Sequence, residues 1–100
     1  MKKVVVVFDA PGFTSKHFDK VWEDLRAAGQ GNPKGLISHV GCQKPNGNWL
    51  VVDVWKSEEA FNEFGKTLMP IIAKTGVQVP APMVIPAHYV LIGGKEAMPA

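Results

Sequence analysis

The N-terminal third of the chain changes from a continuous apolar run to a helical pattern. Val4–Val7 has no polar position, so both faces of a strand formed there would be covered, as in a strand inside a sheet. Helical spacing follows Thr14, with apolar residues at Phe18, Val21, Trp22, Leu25 and Ala28. This pattern predicts an amphipathic helix over roughly residues 15–28, capped by Thr14 and closed by Gly29.

The middle of the chain predicts an antiparallel hairpin. Its first strand is Gly35–Gln43, with two alternating faces. Leu36, Ser38, Val40 and Cys42 are expected on one face, and Ile37, His39 and Gly41 on the other. Asn46-Gly47 is the strongest turn signal, because this pair tolerates the positive φ of a type I′ turn. The returning strand is Trp49–Trp55, where Trp49, Asp53 and Trp55 share one face, and His39 is expected near its Trp49–Asp53 end.

A second helix is predicted after the N-cap residue Ser57. Its apolar stripe comprises Phe61, Phe64, Leu68, Ile71 and Ile72. Pro70 is expected to end the helix near Leu68, because a proline inside a helix removes a hydrogen bond and clashes with the preceding turn. A short second piece would run to Gly76. Residues 77–86 predict extended chain, and Ala87–Ile92 predicts the last strand, with Met83 as an alternative start.

The element order βαββαβ predicts an α+β, ferredoxin-like fold: a four-stranded antiparallel sheet with two helices on one face. The predicted domain covers residues 1–94, and residues 95–100 form a C-terminal tail. Val5, Val7, Val52 and Val54 make the second sheet face apolar as well. Another protein surface is therefore expected to shield that face from water. We expect a homodimer that packs sheet to sheet, in the manner of a dimeric α+β barrel.

Composition narrows the functional classes. The net charge of +2 is small and dispersed, which argues against nucleic-acid and membrane partners. No apolar run reaches the length of a signal peptide or a membrane span. Cys42, the single cysteine, has no internal disulfide partner, so the expected location is cytoplasmic and the expected role of Cys42 is packing.

Two histidines and one carboxylate are the candidate catalytic groups. His39 and His88 are each expected to act as a general base or, alternatively, to be hydrogen-bonded structural residues, whereas His17 is expected to be solvated. Asp53 is expected to orient a histidine or bind a substrate hydroxyl, or else to cap a loop or pair at an interface. The aromatic candidates for substrate binding, with core packing as the alternative, are Trp49, Trp55, Phe61 and Phe64. No metal-binding or phosphate-binding motif is present.

The segment from Asp53 to Phe64 carries a family resemblance. Val54-Trp55-Lys56-Ser57-Glu58-Glu59-Ala60-Phe61, with an acid two residues before the tryptophan, resembles the antibiotic-biosynthesis monooxygenase-like (ABM) family of dimeric α+β barrels. The resemblance implies a homodimer with a cavity between sheet and helices. It also implies activities such as cofactor-free oxygenation of quinols and polycyclic phenols, or haem degradation.

Two positions depart from the family's usual residues. Nine residues after Trp55, where quinol-oxidising members carry histidine and haem-degrading members tryptophan, this chain has Phe64. Lys74 stands near the helix histidine of the haem-degrading members, and a protonated amine is a poor iron ligand. The resemblance then favours an oxygenase that uses neither metal nor organic cofactor on an aromatic or polyketide-like molecule. The alternative is a non-catalytic ligand-binding or assembly dimer; RNA binding on the open sheet is disfavoured by its aliphatic strands.

Overall fold

The computed structural model describes residues 2–96. Their order is β1 (Val4–Ala10), α1 (Ser15–Ala27), β2 (Leu36–Gln43), β3 (Trp49–Trp55), α2 (Glu58–Ala73), β4 (Met83–Pro86), β5 (Leu91–Ile92) and β6 (Lys95–Glu96). The first four strands form one antiparallel sheet in the order β2-β3-β1-β4, while β5 and β6 pair only with each other. This arrangement confirms the α+β, ferredoxin-like prediction and the position of β1 inside the sheet.

Burial along β1 alternates with the strand period. Val4, Val6, Phe8 and Ala10 face the helices and are buried, whereas the residues between them are only half-buried on the opposite face. The buried set packs against the apolar stripes of both helices, and its most enclosed members are Val6, Leu25 and Trp55. The core therefore lies between one sheet face and the two helices, which leaves the other sheet face open.

The predicted hairpin turn joins β2 to β3, but the prediction of type I′ is wrong, because that type needs a positive φ at both central residues and Asn46 does not have one. Gly47 has a φ of 94°, and its amide donates to the Lys44 carbonyl over 2.9 Å. The turn is also tied to β1, because the Lys44 ammonium and the Asn48 side-chain amide both donate to the Asp9 carboxylate, at 2.7 and 3.0 Å. These hydrogen bonds hold the pKa of Asp9 below its usual value. The turn thus sets the β2–β3 pairing that places the site described below.

Both ends of α1 follow from local sequence. The Thr14 hydroxyl accepts a hydrogen bond from the His17 amide, and the His17 ring nitrogen Nδ1 accepts one from the Thr14 amide. At the other end Gly29 adopts a φ of 80°, and the Gln30 amide donates to the Leu25 carbonyl over 2.8 Å. This is a Schellman closure, in which a left-handed glycine satisfies the last carbonyls of a helix.

The predicted break of α2 at Pro70 is wrong. The helix continues from Glu58 to Ala73, and the Lys74 amide still donates to the Pro70 carbonyl over 3.3 Å. Pro70 lies on the exposed side, whereas Leu68 and Ile71 are buried in the core. Burial on both sides of the proline favours one continuous helix, and water can reach the carbonyl that loses its partner.

The start of α2 depends on a single side chain. The Ser57 hydroxyl accepts a hydrogen bond from the Ala60 amide at 3.1 Å, and Ser57 itself is buried. Replacing Ser57 with alanine should lower the free energy of unfolding by about 1 kcal/mol, because the amide loses its acceptor. Urea denaturation at fixed protein concentration measures this difference. Ser15→Ala, an exposed change in the first turn of α1, is the control, and an equal loss in both variants would contradict the assigned role.

The alternative start of the last predicted strand, Met83, is confirmed, but the predicted extent of Ala87–Ile92 is wrong. β4 ends at Pro86, which pairs with Val4 at the beginning of β1, and one further hydrogen bond joins the Ala87 amide to the Lys3 carbonyl. His88 lies exposed in the segment before β5, although it was expected near the start of the last strand, and Tyr89 is exposed beside it.

The predictions for Cys42 and for the C-terminal tail can also be compared with the structure. Cys42 was expected to be packed, but its position on the outward face of β2 leaves it exposed. The predicted tail at 95–100 begins with Lys95 and Glu96, which pair with β5, and residues 97–100 lie outside the described part of the chain. None of the helices within residues 2–96 is long and apolar enough to cross a membrane.

Candidate active site

A small, partly open space, which we call the inner cavity, lies between the sheet and the two helices. Its volume is about 60 Å³. Its aromatic wall is made by Phe8, Phe13, Phe18, Trp22, Trp55 and Phe64. Among residues 2–96, His39 and Asp53 are the only ones with ionisable side chains that line it. The inner cavity is therefore an apolar space with one concentrated polar feature.

A β-bulge determines which β2 side chains face the inner cavity. Leu36 pairs with Trp55 and Ser38 pairs with Val54, so Ile37 is an extra residue between them. The extra residue shifts the alternation by one position. Leu36 and His39 consequently line the same cavity, and the prediction that they lie on opposite faces is wrong.

The β2–β3 register brings His39 directly opposite Asp53. The Asp53 side chain is almost completely buried and accepts two hydrogen bonds, one on each oxygen. His39 Nδ1 lies 2.5 Å from Oδ1, and the Trp55 Nε1–H donates to Oδ2 over 3.1 Å. Because an ionised carboxylate only accepts hydrogen bonds, Nδ1 carries the shared hydrogen. In the neutral imidazole the lone pair is then on Nε2.

His39 Nε2 is a buried polar atom without a hydrogen-bond partner among the described residues. The imidazole is enclosed on the helix side by two rings of α1. Phe18 stacks on it at a centroid distance of 5.5 Å and an angle of 7°, and Trp22 meets it edge-on at 5.0 Å. An oriented imidazole with a free lone pair in an apolar site is the arrangement that a general base requires.

A wider space, the outer cleft, begins on the other side of these rings. It measures about 390 Å³ and is lined by Phe18, Asp19, Trp22, Arg26 and His39. Three of these residues, Phe18, Trp22 and His39, also line the inner cavity. The imidazole and the two rings therefore form the boundary between the inner cavity and the outer cleft.

The structure brings together four of the seven predicted site residues. His39, Asp53, Trp55 and Phe64 all line the inner cavity. Phe61 packs in the core against Phe8 and Trp55, with ring centroids 6.2 and 5.7 Å apart. The remaining two, Trp49 and His88, line neither space, although Trp49 packs against Phe18 at 5.1 Å.

Sequence reasoning missed the contribution of α1 to this site. Phe18 and Trp22 were assigned to the apolar stripe of the helix, and the outer cleft adds Arg26 from the same helix. Their spacing of four residues places them along one helix face, which is a usable signal, but it does not show that the face lies over His39. Across residues 2–96 no three side chains of histidine, cysteine, aspartate or glutamate lie close enough together to hold a metal ion.

Comparison with known proteins identifies the fold. No protein-family model and no curated protein sequence matches this chain. A solved structure is similar, however: the crystal structure of a mutant of SnoaB, a cofactor-independent oxygenase from Streptomyces nogalater, with a TM-score of 0.64. The chain has the fold of SnoaB. The likeness covers 91% of this chain and 98% of SnoaB at 16% sequence identity, and it confirms the ABM-like fold that the sequence predicted.

Proposed function

We propose that the protein is a cytoplasmic, cofactor-independent monooxygenase that acts on an aromatic or polyketide-like small molecule. The observation that carries this proposal is the hydrogen-bonded chain Trp55–Asp53–His39, which ends in the buried, unpartnered Nε2 of a histidine that lines both the inner cavity and the outer cleft. The fold shared with SnoaB, itself a cofactor-independent oxygenase, supports it. His88 lies exposed and away from both spaces, so the proposal rests on His39 as the base.

His39 would begin the reaction by removing a proton. Nε2 accepts the proton from an acidic C–H or O–H of the substrate, and the Asp53 carboxylate stabilises the resulting imidazolium. The substrate anion then gives one electron to dioxygen, which forms superoxide and a substrate radical. Their combination makes a C–O bond, and the peroxide takes the proton back from His39. Loss of water leaves a carbonyl, so that one oxygen atom enters the product and the other leaves as water.

The surroundings of His39 suit this chemistry. The walls of the inner cavity are almost entirely apolar, and Phe18 and Trp22 pack on the imidazole. An environment that excludes water strengthens the attraction between the imidazolium and the anionic intermediates. It also limits the loss of a superoxide radical to solvent before recombination.

A ligand panel with oxygen measurements tests the proposal. Thermal shift would be recorded with flat phenols, quinols, anthrone-like tricyclics, haem and fatty acids, and oxygen uptake followed for every ligand that stabilises the protein. A ligand at 100 times its dissociation constant adds about 2.7 kcal/mol to the free energy of unfolding. We expect an aromatic ligand to be oxidised with one ¹⁸O atom from labelled dioxygen in the product. Stabilising aromatic ligands that consume no oxygen would contradict the proposal.

A non-catalytic binding dimer is the second candidate function. It is favoured by the size of the inner cavity, because about 60 Å³ is far below the 300–1,000 Å³ typical of ligand pockets. A protein of this kind would hold an aromatic ligand in the outer cleft without turnover. Stabilisation without oxygen uptake in the same panel is the result that would select it.

The open sheet face supports a homodimer. Two rows of apolar side chains cross this face in register: Ile85, Val5 and Val54 in one, Met83, Val7, Val52 and Val40 in the other. Met83, Ile85 and Val40 are 61, 43 and 57% exposed in the single chain. Because monomeric proteins rarely leave such a continuous apolar surface in water, we propose that a second copy covers it.

A charge in the middle of this face should separate the two copies. Val52→Lys places an ammonium between Val7 and Val40, where it would be buried at the proposed interface without a partner. We expect the variant to sediment as a monomer at concentrations at which the parent protein is a dimer. Asn62→Lys introduces the same side chain on the exposed face of α2 and should leave the dimer intact. A monomeric parent protein, or a dimer that tolerates Val52→Lys, would contradict the proposed interface.

A further inference from the structure

The inner cavity is too small for an aromatic substrate. An apolar cavity of about 150 Å³ is known to accept a single benzene ring, whereas this one measures about 60 Å³. The outer cleft beside it is wider, at about 390 Å³, and is open to solvent. Size therefore excludes an aromatic molecule from the inner cavity, which has room for one or two heavy atoms, and the outer cleft is the adjacent space that can hold a larger molecule.

The polar groups of the inner cavity do not suit water. A buried water molecule typically makes about three hydrogen bonds. Both oxygens of Asp53 are already occupied, by His39 and by Trp55, and the Trp55 N–H is used in the same contact. Among the described residues that line this cavity, His39 Nε2 is the one buried side-chain polar atom without a hydrogen-bond partner. The walls thus favour a small apolar molecule over a hydrogen-bonding one.

His39 lies where the inner cavity and the outer cleft meet, so reactants in both spaces could take part in one reaction there. Its imidazole lines both of them, with Phe18 and Trp22 beside it. We infer that the inner cavity is a dioxygen-binding site and that the organic substrate binds in the outer cleft, so that the two reactants meet at His39. This inference rests on the proposed function for the identity of the small apolar reactant. It divides the site into separate compartments, and separate residues should then control the affinity for each reactant.

Xenon tests the site without any turnover. Xenon is a small apolar atom that binds in dry protein cavities, so crystals of the full chain would be pressurised with it. We expect a xenon atom within the wall formed by Phe8, Leu25 and Leu68. No xenon in the inner cavity, with or without xenon elsewhere, would overturn the inference. Xenon in the cavity of a protein that oxidises no ligand would contradict the proposed function while leaving the gas-binding site in place.

Filling the inner cavity provides the kinetic test. Ala10 lines this cavity but not the outer cleft, and Ala10→Val adds two methyl groups to its wall. We expect the variant to lose xenon and to raise KM for dioxygen about tenfold, while KM for the organic substrate stays nearly constant. Val79→Leu narrows the same cavity from another segment and replaces Ala10→Val if that variant fails to fold.

Two further variants complete the comparison. Ala73→Val makes the same substitution at the exposed end of α2 and should change neither KM. Arg26→Gln alters the outer cleft alone, so it should raise KM for the organic substrate and leave KM for dioxygen unchanged. A folded cavity-filling variant with an unchanged KM for dioxygen would overturn the inference.

Discussion

Replacing His39 with glutamine is expected to lower kcat by about 10²–10⁴-fold, the usual contribution of a general base. Glutamine can still donate a hydrogen bond to Asp53, so the buried carboxylate keeps a partner in place of the Nδ1 contact. Its amide cannot accept a proton near neutral pH. The change therefore removes proton transfer while keeping much of the local geometry. Steady-state oxygen uptake measures the loss, and KM for the organic substrate should change little.

The control for this variant is another histidine of the same chain. His88→Gln makes the identical substitution at an exposed position away from the inner cavity and the outer cleft, and should leave kcat unchanged. A comparable loss in His88→Gln, or full activity in a folded His39→Gln protein, would contradict the role assigned to His39. Thermal unfolding of each variant separates lost chemistry from lost structure.

The second large effect is expected from Asp53→Asn. Asp53 now accepts from two donors, and an amide offers only one acceptor oxygen. The Trp55 Nε1–H can only donate, so we expect the amide oxygen to face Trp55 and the NH₂ group to face His39. His39 Nδ1 must then become the acceptor, which moves the hydrogen to Nε2 and removes its lone pair. A catalytic histidine held in the wrong tautomer loses about 10⁴-fold in kcat in the serine-protease triad, and we expect a similar loss here.

Asp53 acts through His39, so its test needs a readout of the imidazole itself. The ¹⁵N chemical shifts of the ring should show the hydrogen on Nδ1 in the parent protein and on Nε2 in Asp53→Asn. Asp9→Asn is the matched control, because Asp9 also accepts two side-chain hydrogen bonds but lies on the open side of β1. An unchanged tautomer together with a large loss of kcat would exclude the positioning role.

Much of the fold followed from signals within a few residues of each other. Thr14 and Ser57 cap the helices as predicted, Gly29 closes α1, and the hairpin turn lies at Asn46-Gly47, although not as type I′. Each of these features satisfies its hydrogen bonds locally, which is why it is visible in the sequence. The exception was Pro70, whose local tendency to end a helix was outweighed by burial of the residues around it.

Only part of the candidate site could be predicted from the sequence. Strand periodicity placed Asp53 and Trp55 on one face, and the hairpin turn brought His39 near them. The bulge at Ile37 was not predicted, because it reflects a fit between two strands that no short pattern records. The choice between His39 and His88 as the base also depended on the tertiary structure, because the pairing of β4 with β1 ends at Pro86 and leaves His88 beyond it.

The sequence by itself determined the element order, the caps, the hairpin and the apolar character of both sheet faces, because these depend on residues close together in the chain. Only the tertiary structure placed Phe18 and Trp22 over His39, left Nε2 without a partner and separated the inner cavity from the outer cleft. Those features arise where α1 packs on β2 and β3. Packing between distant elements is set by how all their side chains fit together, and no single stretch of sequence carries that information.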